Sequence, residues 1–478
     1  MRSRRFSWIN ALAAMLSMFA AALVVSGTAA AEEEPIQVAF GEIDITPPLD
    51  EQRPVWLAGY GMGRRATAVH DPIMARCVVL RSGKTTVALS CVDLVGLQYP
   101  EVQRIRSRLP DVSYVMVSST HNHEGPDVIG IWGRSPIHRG VDDGYLDLVV
   151  DHVSRMIGET LSKLVPATVE YGTAEDDSLV GDTRQPIVKD GVIRTLRFVG
   201  ADRKALGVVV DWSSHPEAMG AKNTAITADF PGVTVARLRE KHACPIVYFS
   251  GAVGGLMTPP RNRIKDENGK SLEEGDFAYM TRYGEEVGDL AAKATQSATE
   301  IKLTPLKVVS RTIYLPVENP LYRAAHAIRV LSRNATVWQG DRNQKGQPLT
   351  ATNADQTMAV ETEVAYLRLG DLHVACIPGE LYPELMYGRF QEPADPNVDY
   401  PDAPLEPHVA GLMPGKQWMM IGLANDEVGY IIPRRQWDRA PPFAYGRKEG
   451  QYGEINSCGS QVAPLIMATL AECVKAAQ

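Results

Sequence analysis

The chain has 478 residues, 45% of them hydrophobic and 22% charged, with a formal net charge of −8. These are globular proportions, which exclude a disordered, collagenous or many-span membrane protein. The acidic balance and the lack of any long Lys or Arg run exclude the basic footprint of a nucleic-acid binder.

Residues 1–31 read as a secretory signal peptide. Arg2, Arg4 and Arg5 give a positive start, residues 6–25 are almost wholly apolar, and Ala29-Ala30-Ala31 offers a small-residue cleavage site. An uncleaved single-span anchor is the alternative, because the apolar run approaches spanning length. No cysteine lies near the cleavage site, so no lipid anchor is expected. The expectation is export, periplasmic or extracellular, with no stable membrane span after cleavage. Six cysteines follow, too few for a disulfide scaffold and with no CxxC spacing. Cys77 and Cys91 flank an expected hairpin and could pair; buried free thiols are the other reading.

In chain order, 36–48 reads as a strand stopped by Pro47-Pro48. Residues 74–81 and 85–91 read as a hairpin turning at Ser82-Gly83-Lys84. Tyr114 to Val117 is a buried strand. Leu146, Val149, Val150, Val153, Ile157, Leu161 and Leu164 recur at helical spacing before Pro166. Residues 206–211 and 246–249 are further buried strands, and 231–242 and 278–298 are helices. Residues 361–377 form a hairpin at Gly370-Asp371, and 417–422 a last strand. Residues 340–360 and 390–416 read as long loops. This alternation predicts an α/β fold, a mixed β-sheet core with flanking helices. The chain shows no internal repeat and no clean linker, so 32–478 is expected to be one domain.

Polar residues cluster after four of the buried strands: Ser118 to Asp127, Trp212 to Glu217, Pro378-Gly379-Glu380, and Gly422 to Tyr430. In open α/β sheets ligands bind beyond the carboxyl ends of strands. His121 and His123 stand at i, i+2, which directs both imidazoles to one side of an extended segment. With His215 and Glu380 at other strand ends they suggest a zinc site of nitrogen and oxygen ligands. His121-Asn122-His123 also spells an HNH nuclease motif, but the acidic balance opposes a phosphate-rich ligand.

These residues resemble the neutral (non-lysosomal, alkaline) ceramidases along nearly the whole chain after the leader. Gly41 to Pro48 is similar to that family's opening strand. Leu57-Ala58-Gly59-Tyr60-Gly61, His70-Asp71-Pro72 and Ala75-Arg76 resemble its next block. Ser119 to Pro126 resembles Thr-His-Thr-His-Ser-Gly-Pro, Thr183-Arg184-Gln185-Pro186 resembles Asn-Arg-Ser-Pro, and Val210 to His215 resembles Asn-Trp-Phe-x-x-His. Pro378-Gly379-Glu380, Gly422-Leu423-Ala424-Asn425, Gly429-Tyr430 and Gln451-Tyr452 follow in the family's order. The resemblance implies a zinc-dependent amidase with His121, His215, Glu380 and Tyr430 as metal ligands. It implies that His123, Arg184 and Tyr452 face the scissile amide of ceramide or a related N-acyl compound, a lipid or small-molecule substrate.

Departures are specific. In the loop 253–259, Thr258 stands where the family has serine and Leu256 where it has aspartate, and Gly254-Gly255 would serve close backbone approach. Glu124 and Asp127 add carboxylates beside the histidine pair, which suggests an acidic rim and a polar substrate. The altered loop suggests a non-catalytic binding protein of the same fold. The segment between Tyr430 and Tyr452 is longer than the family's, and the C-terminal immunoglobulin-like domain has no counterpart. Asp93 and Asp229 would either orient a ligand imidazole or cap local turns. The other histidines read as surface or structural groups, and Asn334-Ala335-Thr336 as a glycosylation sequon in a eukaryotic secretory host only.

Overall fold

The strands are built from β-branched and aromatic runs, and many are buried on both faces, as in Val78-Val79-Leu80 and Val115-Met116-Val117. The computed structural model describes residues 35–478, which form one compact unit; the signal-peptide expectation lies outside the described residues.

Three sheets share one plan. In the first, β1 (Gln37–Asp44), β2 (Met74–Ser82) and β3 (Thr85–Val92) run antiparallel, and β4 (Tyr114–Ser119) joins β3 in parallel. In the second, β5 (Thr168–Glu175), β6 (Val192–Val199) and β7 (Ala205–Trp212) run antiparallel, and β8 (Ile246–Ser250) joins β7 in parallel. In the third, β9 (Leu306–Val317), β10 (Met358–Leu369) and β11 (Leu372–Cys376) run antiparallel. The strand β13 (Trp418–Ile421) joins β11 in parallel, and a two-residue parallel pair, β12 (Glu380–Leu381) with β14 (Tyr430–Ile431), lies beyond it.

One apolar cluster holds the three sheets together. Val38, Leu80 and Met116 of the first meet Leu196, Phe198 and Phe249 of the second and Leu367, Val374 and Ile421 of the third. Helices cover each outer face. On the first sheet lie α1 (Tyr99–Ser107) and α2 (Asp143–Leu161), through Val102, Ile105, Val149 and Val153. On the second lie α3 (Asp229–His242) and α4 (Phe277–Gln296), through Phe230, Leu238, Tyr283 and Val287. On the third lies α5 (Val462–Ala477), through Ile466, Met467 and Leu470.

The expected hairpins, buried strands and helices therefore stand at their places. The helix expected from Leu146 onward starts at Asp143, capped by Asp142, whose carboxylate accepts from the Gly144 and Tyr145 N–H groups. Strands β5, β6 and β9 and helices α1 and α5 add to the sequence reading. β9 hides from pattern reading because its first half is largely exposed and Pro316 sits in its second. The thrice-repeated sheet plan carries no repeat in sequence.

Of the two readings of Cys77 and Cys91, the buried free thiols hold. The β2–β3 register sets Cys77 opposite Ser90 and Arg76 opposite Cys91. A one-residue offset sends the two side chains to opposite faces: Cys77 to the helix-side core, Cys91 to the shared core. All six thiols are free and buried, and burial pushes Cys77 and Cys91 up to about 12. Among the described residues no helix is long and apolar enough to cross a membrane.

Candidate metal centre

The chain leaves β4 through Thr120-His121-Asn122-His123. This segment is not extended, as the i, i+2 argument assumed, because His121 takes φ 68. Asn122 fixes the bend: its amide donates to the carbonyls of Asp93 (3.2 Å) and Thr227 (2.8 Å) and its oxygen accepts from the Glu124 N–H (3.0 Å). The two imidazoles still face one space, with ring centres 4.8 Å apart. His215, just past β7, brings its ring 4.8 Å from that of His121. The nitrogens of His121, His123 and His215 lie within 4.8 Å of one another, and all three side chains are buried.

Two carbonyls set the tautomers. His121 Nδ1 lies 2.6 Å from the Val95 carbonyl and His215 Nδ1 2.9 Å from the Met257 carbonyl. A carbonyl only accepts, so each Nδ1 carries the proton and each Nε2 presents a lone pair. Both Nε2 atoms point at one oxygen, Glu380 Oε2, at 3.3 Å from His121 and 3.0 Å from His215. Three electron-rich atoms so close repel unless a proton or a cation lies among them. Tetrahedral bonds of about 2.0–2.1 Å place ligand atoms about 3.3 Å apart, so this donor set fits a metal such as zinc. His123 could stand as an alternative third ligand beside His121 and His215.

Electrostatics separates the groups. Burial raises Glu380, but the His121 and His215 imidazoles outweigh it and hold the carboxyl well below its ordinary range. Burial lowers His215, yet Glu217 and Glu380 carry it up to about 9, so at neutral pH either a proton or a metal cation lies between its Nε2 and Glu380. Burial wins at His123 and takes it down to about 4, against the pull of Glu217. Glu217, raised by burial but faced by three imidazoles, falls to about 2 and is ionised. Its Oε1 lies 3.0 Å from His123 Nδ1 without the alignment of a hydrogen bond, and its negative charge favours the tautomer with the proton on Nδ1 and the lone pair on Nε2.

Around His123 the packing is close. The Tyr60 ring meets it edge-on at 5.0 Å, and Arg64 donates to its backbone carbonyl. Gly59 has φ +94 and lies so near that a Cβ there would fall 2.2 Å from His123 Cγ. The parallel β12–β14 pair sets Tyr430 beside Glu380, and the Tyr430 and Tyr452 rings are 5.9 Å apart. Tyr452 is 49% exposed at the mouth and accepts from Asn456. Arg184 is not brought to this group. Its Nη atoms are given to both Glu454 oxygens (2.9 and 2.7 Å) and to the Tyr452 and Gln436 carbonyls (2.6 and 2.9 Å), so it fastens the segment carrying Tyr452.

Several expectations change. Glu124 and Asp127 form no acidic rim: both are buried. Glu124 takes Arg64 and Asn223, each at 2.9 Å, while Asp127 accepts from the N–H groups of Ile129, Gly130 and Trp132. Asp93 binds Arg76 and the Met74 N–H, and Asp229 the N–H groups of Ala218, Met219 and Phe230; neither orients an imidazole. The Thr258 hydroxyl turns to the Pro259 carbonyl (3.4 Å). The 253–259 loop contributes the Met257 carbonyl to His215, and Gly254 admits the approach of β12, since a Cβ there would lie 2.7 Å from the Glu380 carbonyl. Sequence reasoning gave no role to Glu217 or Glu427, although both belong to the strand-end clusters; a carboxylate two residues after His215 was the available signal for Glu217.

The centre opens into a cavity of about 90 Å³ walled by Ile129, Ile131, Trp132, Val317, Leu331, Met358 and Val360. Tyr430, Tyr452 and Glu427 also line it.

No family model and no curated protein matches the chain. Solved structures do. Neutral ceramidase from Pseudomonas aeruginosa superposes with a TM-score of 0.68 at 16% identity, over 93% of this chain and 75% of that one. A structure described as ceramidase complexed with C2 gives 0.66 at 17% identity, with the same coverage. At such identities the likeness is one of fold, and it spans all three sheets: the described chain has the neutral ceramidase fold.

Proposed function

We propose that the chain is an exported zinc-dependent amidohydrolase cleaving the N-acyl bond of ceramide or a related N-acyl compound. One observation carries the reading: two imidazole Nε2 atoms, their tautomers fixed by backbone carbonyls, converge on a single Glu380 oxygen beside an apolar cavity. His121, His215, Glu380 and Tyr430 would hold the metal. Zinc, when bound, lowers the pKa of a water toward neutrality and polarises a carbonyl.

The chain's own groups supply the rest. His123 Nε2, which bears the lone pair of the neutral imidazole, takes a proton from the attacking water and returns it to the leaving amine. Glu217 keeps the proton on Nδ1 and stabilises the imidazolium in between. The Tyr452 hydroxyl stands at the mouth, in reach of charge developing on oxygen. Arg184 acts through Tyr452 by holding its segment. The apolar walls take a hydrocarbon limb and exclude water.

The test is metal analysis of the purified chain joined to turnover of an N-acyl panel. One zinc per chain, with turnover lost to a chelator and restored by zinc, is the expected result. A chain without stoichiometric metal, or a loaded chain that cleaves no N-acyl amide, would overturn it. Residues 1–31 support export, which cell fractionation checks.

A further inference from the structure

The cavity wall is apolar at Trp132, Met358 and Val360, yet it carries an acid that no protein group completes. Glu427 Oε1 accepts the Gly429 N–H at 2.7 Å, whereas Oε2 is buried with no hydrogen-bond partner. The neighbouring cation is committed elsewhere: Arg333 gives Nη1 and Nη2 to the two Asp426 oxygens (3.0 and 2.7 Å) and Nη2 also to the Glu361 carbonyl (2.7 Å). Glu380, the other acid in the wall, has His121 and His215. Gly96 leaves the space for Glu427, since a Cβ there would lie 2.6 Å from Glu427 Cβ. A buried carboxyl oxygen without a partner is costly, and a ligand that donates to it recovers the loss.

We infer that Glu427 Oε2 is a polar subsite that receives a hydroxyl or ammonium donor on the substrate limb seated in the cavity. This rests on the amidohydrolase reading and narrows it. The favoured substrates are N-acyl amides bearing a hydrogen-bond donor on that limb, over amides with two plain hydrocarbon limbs. A plain chain leaves Oε2 desolvated and unpaired; a donor satisfies it and fixes the depth at which the amide stops.

The experiment uses the metal-loaded protein and N-acyl amides of one length. Their hydroxyl or ammonium is placed on the amine side in one series and on the acyl side in another, and a plain alkyl amide serves as reference. Both kcat/KM and direct binding of the corresponding amines and acids are measured for wild type, Glu427→Gln and Glu427→Leu. Wild type should prefer a donor-bearing compound by about 10–100-fold, the cost of leaving a buried polar oxygen unpaired. In Glu427→Leu that preference should vanish. Glu427→Gln, close in shape, should keep the preference for hydroxyl and lose it for ammonium. A preference unchanged in both variants, or no preference in wild type in either series, overturns the subsite. If no amide is cleaved but the binding preference is present and depends on Glu427, the reaction proposed above fails and the subsite stands.

Discussion

His123 and Glu217 form a pair whose division of labour arises from burial. Removal from water makes imidazolium expensive at His123, and the ionised Glu217 beside Nδ1 directs the remaining lone pair to Nε2. His123→Ala should keep zinc and lose turnover by about 10²–10⁴, while Glu217→Gln should keep zinc and lose about 10–100-fold. Metal content measured beside kcat decides the point: loss of zinc in His123→Ala would make His123 a ligand. A second acid makes a pH prediction away from the centre. Asp211 is fully buried, neither of its oxygens has a hydrogen-bond partner, and burial pushes it up from 3.8 to about 7, with Arg194 opposing and Asp190 adding. The folded state thus holds this proton where the unfolded chain has released it. This contribution to stability is full below about pH 4 and is lost as pH rises through about 7. Denaturation profiles should show Asp211→Asn flattening the decline across that window.

At the scale of elements, the histidines of the centre stand on segments just past the ends of β4 and β7, while Glu380 and Tyr430 open the short β12–β14 pair. The bend at His121 needs Asn122 to occupy two carbonyls, and the loop 253–259 reaches His215 with a backbone carbonyl. The loop can therefore position the His215 imidazole whatever side chains stand at Leu256 and Thr258, because a main-chain oxygen does not depend on the side chain. The segment holding Gly59 presses on His123 from outside. Gly59→Ala places a Cβ 2.2 Å from His123 Cγ at a backbone φ of +94, a conformation that L side chains disfavour. Turnover should drop by about 10² or more with zinc retained, since a displacement of about 1 Å suffices for such a loss. Wild-type kcat in that variant would show that His123 does not need this packing.

On the scale of the molecule, three similar sheets close round one apolar core, and each sends a candidate ligand to the same end: His121 from the first, His215 from the second, Glu380 from the third. Direct bonds reinforce the closure. Arg106 grips both oxygens of Glu363 at 2.9 and 2.8 Å, and Asn425 reaches Tyr114 at 2.9 Å and Glu363 at 3.1 Å, which ties the first sheet to the third. A metal held by all three sheets binds the folded state and not the unfolded one, so it should stabilise by about 4 kcal/mol at a thousand times its dissociation constant. Chelation should lower the melting temperature, and Glu380→Gln should remove most of the chelator-sensitive part. An unchanged melting temperature on chelation would argue against a metal that bridges the sheets.

Local order was legible in the residues alone: strands as apolar runs, helices as 3.6-residue stripes, and polar residues gathered after strand ends. His121, His215 and Glu380 could be picked out there because side-chain type and place along the chain are local properties. Periodicity says which way a side chain faces and nothing about what it will meet. The packing of three sheets was needed to bring His215 to Glu380 across 165 residues, to commit Arg184 to Glu454, and to bury Glu124 and Asp127 on partners of their own. Register alone parted Cys77 from Cys91, because a one-residue offset reverses the face. Glu217 and Glu427 gained their places in the same way: a carboxylate in a polar stretch is ordinary until the fold removes its water and decides which partner, if any, takes its place.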